Sequence, residues 1–188
     1  MTVIKSISGI RGTVGGSPTD GFNPLTIAHF VVGYAQHIKL YESISRPTIV
    51  VGRDARLSGE MVQQVVIGTL LGMGCDVINI GLATTPTTEM AVLGHRADGG
   101  IIITASHNPI QWNALKFLGS DGTFLNADRG NEVLRLSEDH TVPFASVEDL
   151  GQVISTSSYL QKHIDAILAL PEVDVEAIRK AELTVAYD

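Results

Sequence analysis

A short polar run, Thr-Ala-Ser-His-Asn-Pro, occupies residues 104–109 and follows an apolar run that begins at Gly99. Such an apolar run is typical of a strand buried on both faces of a parallel sheet, and α/β folds bind ligands at the carboxyl ends of these strands. A serine hydroxyl becomes a useful nucleophile either through a neighbouring base or through a phosphoryl group that it stores. Ser106 is therefore a candidate for chemistry, beside the plainer interpretation of a turn residue next to Asn108 and Pro109.

The hydrolase alternative for Ser106 finds little support in the neighbouring residues. A hydrolase serine commonly sits in a Gly-x-Ser-x-Gly elbow, and a histidine approaches it from a distant loop. Neither glycine flanks Ser106, and His107 is adjacent in sequence, which places it poorly for removing the serine proton. A more distant histidine stays open as the base, and the candidates are His29, His37, His95, His140 and His163.

A phosphoserine at position 106 would need surroundings that accommodate nearly two negative charges and three acceptor oxygens. Cationic side chains, backbone N–H groups and a divalent metal usually provide them. Cations occur in glycine- or Asx-rich segments at predicted strand ends, where small anions bind. These residues are Arg11, Arg53, Arg56 and Lys116, and His107 adjoins the serine itself. The residues alone leave both the phosphoserine and the turn interpretation open.

Strand-like and helix-like segments alternate along most of the chain, and this alternation positions Ser106. It predicts an α/β fold with three layers, in which helices cover both faces of a mixed, mainly parallel sheet. Asn23 and Ser58 are the predicted N-caps of the first two helices. Strands are predicted at 3–13, 47–52, 76–81 and 99–104, helices at 24–41, 58 to 72 or 74, and 85–93, and an antiparallel hairpin at 115–118 and 123–125.

The carboxyl-terminal third has helical patterns at 126–139, 157–169 and 175–181, a polar connection around Pro143, and a strand pattern at 183–188. A strand with no following element needs a neighbour. We therefore predict one domain over 1–170, followed at 171–188 by a linker and the first strand of a second domain. The alternative is that 183–188 form a last edge strand of the same sheet.

Composition limits the possible functions of the chain. Its 188 residues are 44% hydrophobic and 18% charged, which indicates one well-packed globular domain rather than a disordered segment. The net charge of -7 argues against nucleic acid or an anionic membrane as a partner. Because the chain lacks an apolar stretch of roughly 20 residues and its start lacks a signal-peptide pattern, we expect a cytoplasmic protein. The single cysteine, Cys75, is predicted to pack in the core.

The run at 104–109 resembles the active-serine signature of the α-D-phosphohexomutases, which interconvert 1-phospho and 6-phospho sugars. Four further segments agree with this family in the same order along the chain. They are Ser-Gly-Ile-Arg-Gly-Thr at 8–13, Val-Gly-Arg-Asp-Ala-Arg at 51–56, Thr-Pro at 85–86 and Asn-Ala-Leu-Lys at 113–116. The resemblance covers nearly the whole chain but only the first domain of the family.

The resemblance implies that Ser106 carries a phosphoryl group, donates it to a hexose phosphate and recovers the other phosphoryl group of the bound sugar 1,6-bisphosphate. It implies Mg²⁺, held by an oxygen of the phosphoserine and by aspartates of a second domain. Lys116 would assist proton movement, Arg11 would contact the serine loop or the substrate, and His107 would hydrogen-bond near the transferring group. Asn108 and Arg53 would bind substrate or phosphate.

Two departures from the family pattern qualify what the resemblance implies. Ala114 stands where many members have glycine, which could alter the approach of Lys116. The family's Asp-Gly-Asp-Gly-Asp metal loop, glutamate-containing sugar loop and Ser/Thr-rich phosphate loop do not occur in this sequence. We therefore expect a fragment with little or no mutase activity of its own.

The sequence is compatible with more than one sugar, more than one role for two arginines, and more than one function for the whole chain. The opening at 8–12 is most similar to the phosphoglucosamine mutase branch, while phosphomannomutase and phosphoglucomutase activities stay open. Arg53 and Arg56 have a second interpretation, in which they only brace their loop by pairing with Asp54. The alternative function for the whole chain is a non-catalytic module of the same fold that binds sugar phosphates.

Overall fold

A seven-stranded mixed sheet forms the centre of the fold, in a computed structural model that describes residues 3–6, 9–18, 20–156 and 159–186. The strands are β1 (Ile4–Ser6), β2 (Gly9–Thr13), β3 (Thr48–Arg53), β4 (Asp76–Leu82), β5 (Gly99–Ile103), β6 (Trp112–Leu118) and β7 (Val153–Ser155). The helices are α1 (Pro24–Tyr41), α2 (Gly59–Gly72), α3 (Thr85–His95), α4 (Ala127–Leu136), α5 (Tyr159–Leu168) and α6 (Val175–Lys180), with one 3₁₀ turn at Val147–Asp149.

The order across the sheet is β1-β2-β6-β5-β3-β4-β7. Strands β5, β3, β4 and β7 are mutually parallel. On the other side of β5 each neighbouring pair is antiparallel: β6 with β5, β2 with β6, and β1 with β2. Because β2 is reversed twice relative to β5, five of the seven described strands run in one direction. The predicted mixed, mainly parallel sheet is confirmed.

Helices cover both faces of the sheet, as the apolar strands require. Ile101 and Ile103 of β5 pack in one core with apolar side chains of α1, α2 and α4. Ile102, between them, points to the opposite face and packs with α3 and Tyr159 of α5. The three-layer architecture is therefore confirmed. None of the helices in the described ranges is long and apolar enough to cross a bilayer.

The helix starts show one predicted cap that forms and one that does not. The Asn23 side chain accepts hydrogen bonds from the backbone N–H groups of Leu25 and Thr26, so it caps α1 as expected. The Ser58 side chain makes no cap hydrogen bond to α2. Its hydroxyl instead accepts a hydrogen bond from Asn113 Nδ2 at 2.8 Å, which links α2 to β6. Ser58 therefore occupies the predicted N-cap position of α2, but its side chain does not cap the helix.

Other boundaries differ because pairing partners, rather than local patterns, decide where strands form. The predicted strand at 3–13 is a hairpin of β1 and β2, with residues 7 and 8 outside the described ranges. The predicted hairpin at 115–118 and 123–125 is reduced to one bridge between Leu118 and Phe124, since β6 pairs with β2 and β5. The polar connection contains an unforeseen edge strand, β7.

The strand predicted at 183–188 does not form over the residues that the structure describes. Residues 183–186 have no strand assignment, and 187 and 188 lie outside the described ranges. A strand requires a neighbour that satisfies its backbone groups. The edges of the described sheet are β1 and β7, so residues 183–186 are not an edge strand of it.

Cys75 lies fully buried in the main core, which confirms its predicted packing role. Burial raises the pKa of its thiol to about 11. The thiolate is the nucleophilic form of cysteine, so this side chain is poorly suited to chemistry.

His37 of α1 connects the core to the pH dependence of stability. It is buried, and its Nε2 accepts a hydrogen bond from Arg129 Nε at 3.0 Å. Burial, reinforced by the positive charge of Arg129, lowers the pKa of His37 from 6.5 to about 4. The unfolded chain binds a proton near the ordinary pKa while the folded protein resists it, so stability is lost as pH falls. We expect His37 to remove about 2 kcal/mol of stability between about pH 7 and about pH 5.

Urea unfolding of the wild type and of His37→Gln at both pH values measures this contribution. The pKa of His29 and of His95 is also lowered, first by burial, so the variant should keep part of the pH dependence. The wild-type decrease should exceed that of the variant by about 2 kcal/mol. Equal decreases in the two proteins would contradict the assignment to His37.

Candidate active site

Ser106 lies in a tight turn directly after β5, at the carboxyl end of the parallel strands. Its backbone has a φ of 54°, in the left-handed region, and its side chain is exposed. The turn is held by the N–H of Ser106, which donates to Thr104 Oγ1 at 3.1 Å, and by the N–H of Asn108, which donates to the Ala105 carbonyl at 3.0 Å. The local chain thus presents the serine hydroxyl outward from a defined turn.

The left-handed conformation of Ser106 predicts a gain in stability on replacement by glycine. A residue with a Cβ pays roughly 1–2 kcal/mol in this region, whereas glycine does not. We expect Ser106→Gly to unfold with a free energy about 1 kcal/mol higher than Ser106→Ala, which keeps the Cβ. Urea unfolding of the two variants provides the measurement. Equal stabilities would show that the turn relaxes without strain.

Arg56 stabilises the same turn by hydrogen bonds to its backbone carbonyls. Its guanidinium donates to the carbonyl oxygens of Ser106 at 2.8 Å and of Asn108 at 2.6 Å. It also donates to those of Pro109 and Trp112, each at 3.0 Å. Sequence reasoning placed Arg56 near anions or in a brace, and the structure places it in a brace.

An open pocket of about 230 Å³ lies in front of Ser106. It brings together five of the six predicted site residues, which are Ser106, His107, Asn108, Arg11 and Lys116. Thr104, the first residue of the serine run, also lines it, as does Ser6, which the sequence did not indicate. The pocket therefore combines a serine with two cationic side chains, and these three residues come from three separate segments of the chain.

The pairing of β2 with β6 explains why Arg11 and Lys116 meet. In this antiparallel pair Gly9 lies opposite Lys116, and Arg11 lies opposite Ala114. Directly opposed residues project from the same face, as do residues two apart on one strand. Both cations therefore extend over the same face, each opposite a residue with little or no side chain. Ala114, which stands where many family members have glycine, lines the same pocket as Arg11 and Lys116.

Lys116 is also held by an aromatic neighbour. Its Nζ lies 5.4 Å from the centre of the Phe124 ring, a distance at which the ring face attracts a cation. Phe124 belongs to the segment that bridges to Leu118. The turn after β6 thus helps to direct the lysine.

Arg53 is the predicted site residue that the structure does not bring to the pocket. Its Nε lies 3.3 Å from Gln63 Oε1, and its Nη1 donates to the Asp54 carbonyl at 3.1 Å. It does not line the cavity in front of Ser106. Arg53 and Arg56 are three residues apart, yet Arg53 contacts Gln63 while Arg56 contacts the serine turn. The local sequence pattern does not predict this difference.

His107 is the histidine nearest to the serine. Its Nδ1 lies 3.4 Å from Ser106 Oγ, at the long limit of a hydrogen bond. A hydrolase histidine also needs an acceptor that orients its ring. Within the described ranges no hydrogen bond joins His107 to a carboxylate, so this pair lacks the third member of a hydrolase triad.

The described residues do not by themselves form a site for a divalent cation. No cluster of three or more histidine, cysteine, aspartate or glutamate side chains suited to a metal occurs among them. Asp54, directly after β3, contacts the serine turn: its Oδ2 accepts from Thr104 Oγ1 at 2.6 Å and lies 3.3 Å from Arg56 Nε. Its oxygens are already engaged by the turn itself.

The chain is similar to known proteins over most of its length. It is 40% identical over 147 residues to the phosphoglucomutase/phosphomannomutase of Thermococcus kodakarensis, covering 78% of this chain and 32% of that protein. It is 40% identical over 139 residues to the phosphoglucosamine mutase of Leuconostoc mesenteroides, covering 72% of this chain and 30% of that protein. The chain thus spans about a third of the length of these curated relatives.

Solved structures have the same fold. A candidate phosphomannomutase of Thermus thermophilus superposes with a TM-score of 0.76 at 25% identity, covering 95% of this chain and 38% of that one. A phosphoglucomutase/phosphomannomutase family protein of Burkholderia thailandensis superposes with a TM-score of 0.72 at 21% identity, covering 88% of this chain and 35% of that one. Residues 3–141 match the family profile described as phosphoglucomutase/phosphomannomutase, alpha/beta/alpha domain I. Together with the serine turn and its cationic pocket, this match shows that the chain belongs to the phosphoglucomutase/phosphomannomutase family.

Proposed function

We propose that this chain is the phosphoryl-carrying part of a phosphohexomutase, with Ser106 as the residue that stores and transfers the phosphoryl group. The observation that carries the proposal is the position of Ser106 in a braced turn, beside a pocket that also contains Arg11 and Lys116. A phosphoserine there would have cations beside it to offset its charge. Family membership supports the same activity.

The proposed reaction begins with Ser106 phosphorylated. A free hydroxyl oxygen of the bound hexose phosphate attacks the phosphorus, and the bond from phosphorus to Ser106 Oγ breaks. The proton that the sugar hydroxyl loses ends on Ser106 Oγ, which leaves a free serine hydroxyl and a bound sugar bisphosphate. The bisphosphate then turns around, and Ser106 Oγ attacks its other phosphoryl group. The bond from that phosphorus to the sugar oxygen breaks, and the sugar oxygen receives the proton that Ser106 Oγ loses. The serine is phosphorylated again, and the isomeric monophosphate leaves.

The side chains of the pocket have proposed roles in this exchange. Lys116 assists the proton transfer at the sugar hydroxyl, and Arg11 binds the phosphate that Ser106 carries or the substrate. His107, 3.4 Å from Ser106 Oγ, hydrogen-bonds near the transferring group. Asn108 contributes to substrate binding from the same turn. All four line the cavity beside the serine.

Mg²⁺ belongs to the proposal through the family resemblance and not through ligands in the described residues. This chain would contribute an oxygen of the phosphoserine, and the remaining ligands would be aspartates of a second domain. When bound, such a cation neutralises charge that develops during phosphoryl transfer. The arginine and lysine of the pocket supply the charge compensation that this chain itself offers.

The substrate class proposed is a hexose phosphate, with a sugar 1,6-bisphosphate as the intermediate. The curated relatives include a phosphoglucosamine mutase and a phosphoglucomutase/phosphomannomutase. We propose glucosamine phosphate as the first substrate to test, with mannose and glucose phosphates beside it. We further propose that residues 1–170 form the serine-bearing domain and that turnover belongs to the longer product of the complete gene.

Intact-mass measurement of the complete gene product tests the proposal. After incubation with glucose 1,6-bisphosphate and Mg²⁺, the protein should gain one phosphoryl group, and peptide mapping should place it on Ser106. Absence of the modification at Ser106, together with binding of hexose phosphates without transfer, would favour a non-catalytic binding module. Covalent labelling of Ser106 by a fluorophosphonate probe would favour the hydrolase alternative.

A further inference from the structure

We infer that Arg56 is a positioning residue for phosphoryl transfer, which acts by setting the geometry of the Ser106 turn and does not touch the substrate. This inference rests on the function proposed for Ser106. Arg56 does not line the pocket in front of the serine, and its side chain is 12% exposed. Its positive charge is therefore directed at the protein rather than at a ligand.

The guanidinium of Arg56 binds the backbone of the turn without lining the pocket. It contacts four backbone carbonyls, those of Ser106, Asn108, Pro109 and Trp112. Three of these carbonyls belong to the segment that connects β5 to β6, and the fourth belongs to Trp112, the first residue of β6. One rigid, planar group thus determines the relative positions of residues on both sides of the proline.

Asp54 connects this arginine to the other side of the serine. Its Oδ1 accepts a hydrogen bond from the backbone N–H of Arg56 at 3.0 Å, and its Oδ2 lies 3.3 Å from Nε of the Arg56 guanidinium. Oδ2 also accepts from Thr104 Oγ1 at 2.6 Å, and Thr104 Oγ1 in turn accepts from the N–H of Ser106. Since Arg56 also binds the Ser106 carbonyl, the polar contacts form a closed ring that holds both backbone groups of the serine.

The closed ring matters because Ser106 has an unfavourable backbone conformation. A left-handed φ at a non-glycine residue persists only where surrounding contacts enforce it. Phosphoryl transfer requires the attacking and leaving oxygens to be nearly in line, and small misplacements reduce rates strongly. A turn that relaxes would leave the pocket able to bind a sugar phosphate but would move Ser106 Oγ away from it.

Arg56→Lys in the complete gene product is the most direct test. Lysine keeps the charge but presents a single ammonium, which cannot reach four carbonyls in a fork. We expect kcat for hexose phosphate isomerisation to fall by about 100-fold, with KM changed by less than about threefold. A residue with only a structural role would lower the amount of folded protein and leave the kcat of the folded fraction intact.

Arg129→Lys is the matched control. Arg129 is also a largely buried arginine, with 15% exposure, and it contacts His37 and the Tyr41 ring instead of the serine turn. Its replacement should cost stability while keeping kcat within about threefold of the wild type. Comparison of the two variants separates loss of a buried arginine from loss of the ring around Ser106.

Thr104→Val provides a second variant that does not depend on the folding of Arg56→Lys. It keeps the shape of the side chain and removes the hydroxyl that joins Asp54 to the Ser106 N–H. We expect kcat to fall by about tenfold with KM nearly unchanged. The inference is overturned if folded Arg56→Lys or Thr104→Val keeps wild-type kcat, or if the loss appears in KM alone. A wild-type protein that does not phosphorylate Ser106 would instead refute the proposed function.

Discussion

Ser106→Ala is expected to lower the mutase turnover of the complete gene product by at least about a thousandfold. The variant removes the oxygen to which the phosphoryl group is attached, and no other described side chain of the pocket is proposed to accept it. The remaining contacts to the sugar phosphate stay in place, so substrate binding should change little. Turnover with glucosamine 1-phosphate, mannose 1-phosphate and glucose 1-phosphate provides the measurement.

Ser6→Ala is the control for this prediction, because Ser6 is a second described serine that lines the pocket. Its hydroxyl donates to the Gly9 carbonyl at 2.9 Å and has a role in the β1–β2 connection. Its replacement should reduce turnover by less than about tenfold. If Ser6→Ala were as damaging as Ser106→Ala, the pocket rather than the serine would be the critical feature. Full turnover in Ser106→Ala would require a different nucleophile.

Gly9→Ala is expected to destabilise the protein by about 3 kcal/mol or more. Gly9 has a φ of 130°, which residues with side chains rarely adopt. A Cβ at this position would also overlap the carbonyl oxygen of Leu115 on the paired strand. Neither the new Cβ nor the Leu115 carbonyl oxygen can move away without separating β2 from β6. The cost of the steric overlap therefore adds to the cost of the strained backbone at residue 9. The free energy of unfolding in urea provides the measurement.

Gly15→Ala separates these two causes. Gly15 has a φ of 106°, but a Cβ there would meet open space. Its replacement should cost only the conformational strain, about 1–2 kcal/mol. Because Gly9 lies opposite Lys116, the Gly9 variant should also lose mutase activity in its folded fraction. A Gly9→Ala protein as stable as Gly15→Ala would show that the two strands adjust without cost.

Local patterns were sufficient for the elements that lie close together in the chain. The short apolar runs predicted β3, β4 and β5, and Asn23 with Pro24 predicted the start of α1. The serine turn was also recognisable, because its functional groups are contiguous in residues 104–109 and follow a buried strand. These features depend on side-chain periodicity, capping and backbone preferences, which act over a few residues.

The pairing of distant segments was not recognisable in the same way. Strand β2 inserts beside β6, about a hundred residues later in the chain, and this pairing alone brings Arg11 to the pocket. A strand pattern indicates which face is buried but does not identify the neighbouring strand. For the same reason the edge strand β7, which is short and exposed, gave no clear signal.

The Ser106 turn shows most directly which features follow from the sequence and which follow only from the tertiary structure. The amino-acid sequence alone determined that a serine follows a buried strand, in a run that resembles the active-serine signature of the phosphohexomutases. Only the tertiary structure decided that Arg56 braces the turn while Arg53 binds Gln63. The physical reason is that a guanidinium binds whichever acceptors the folded backbone places within reach. For Arg56 these acceptors are four carbonyls of a segment some fifty residues further along the chain.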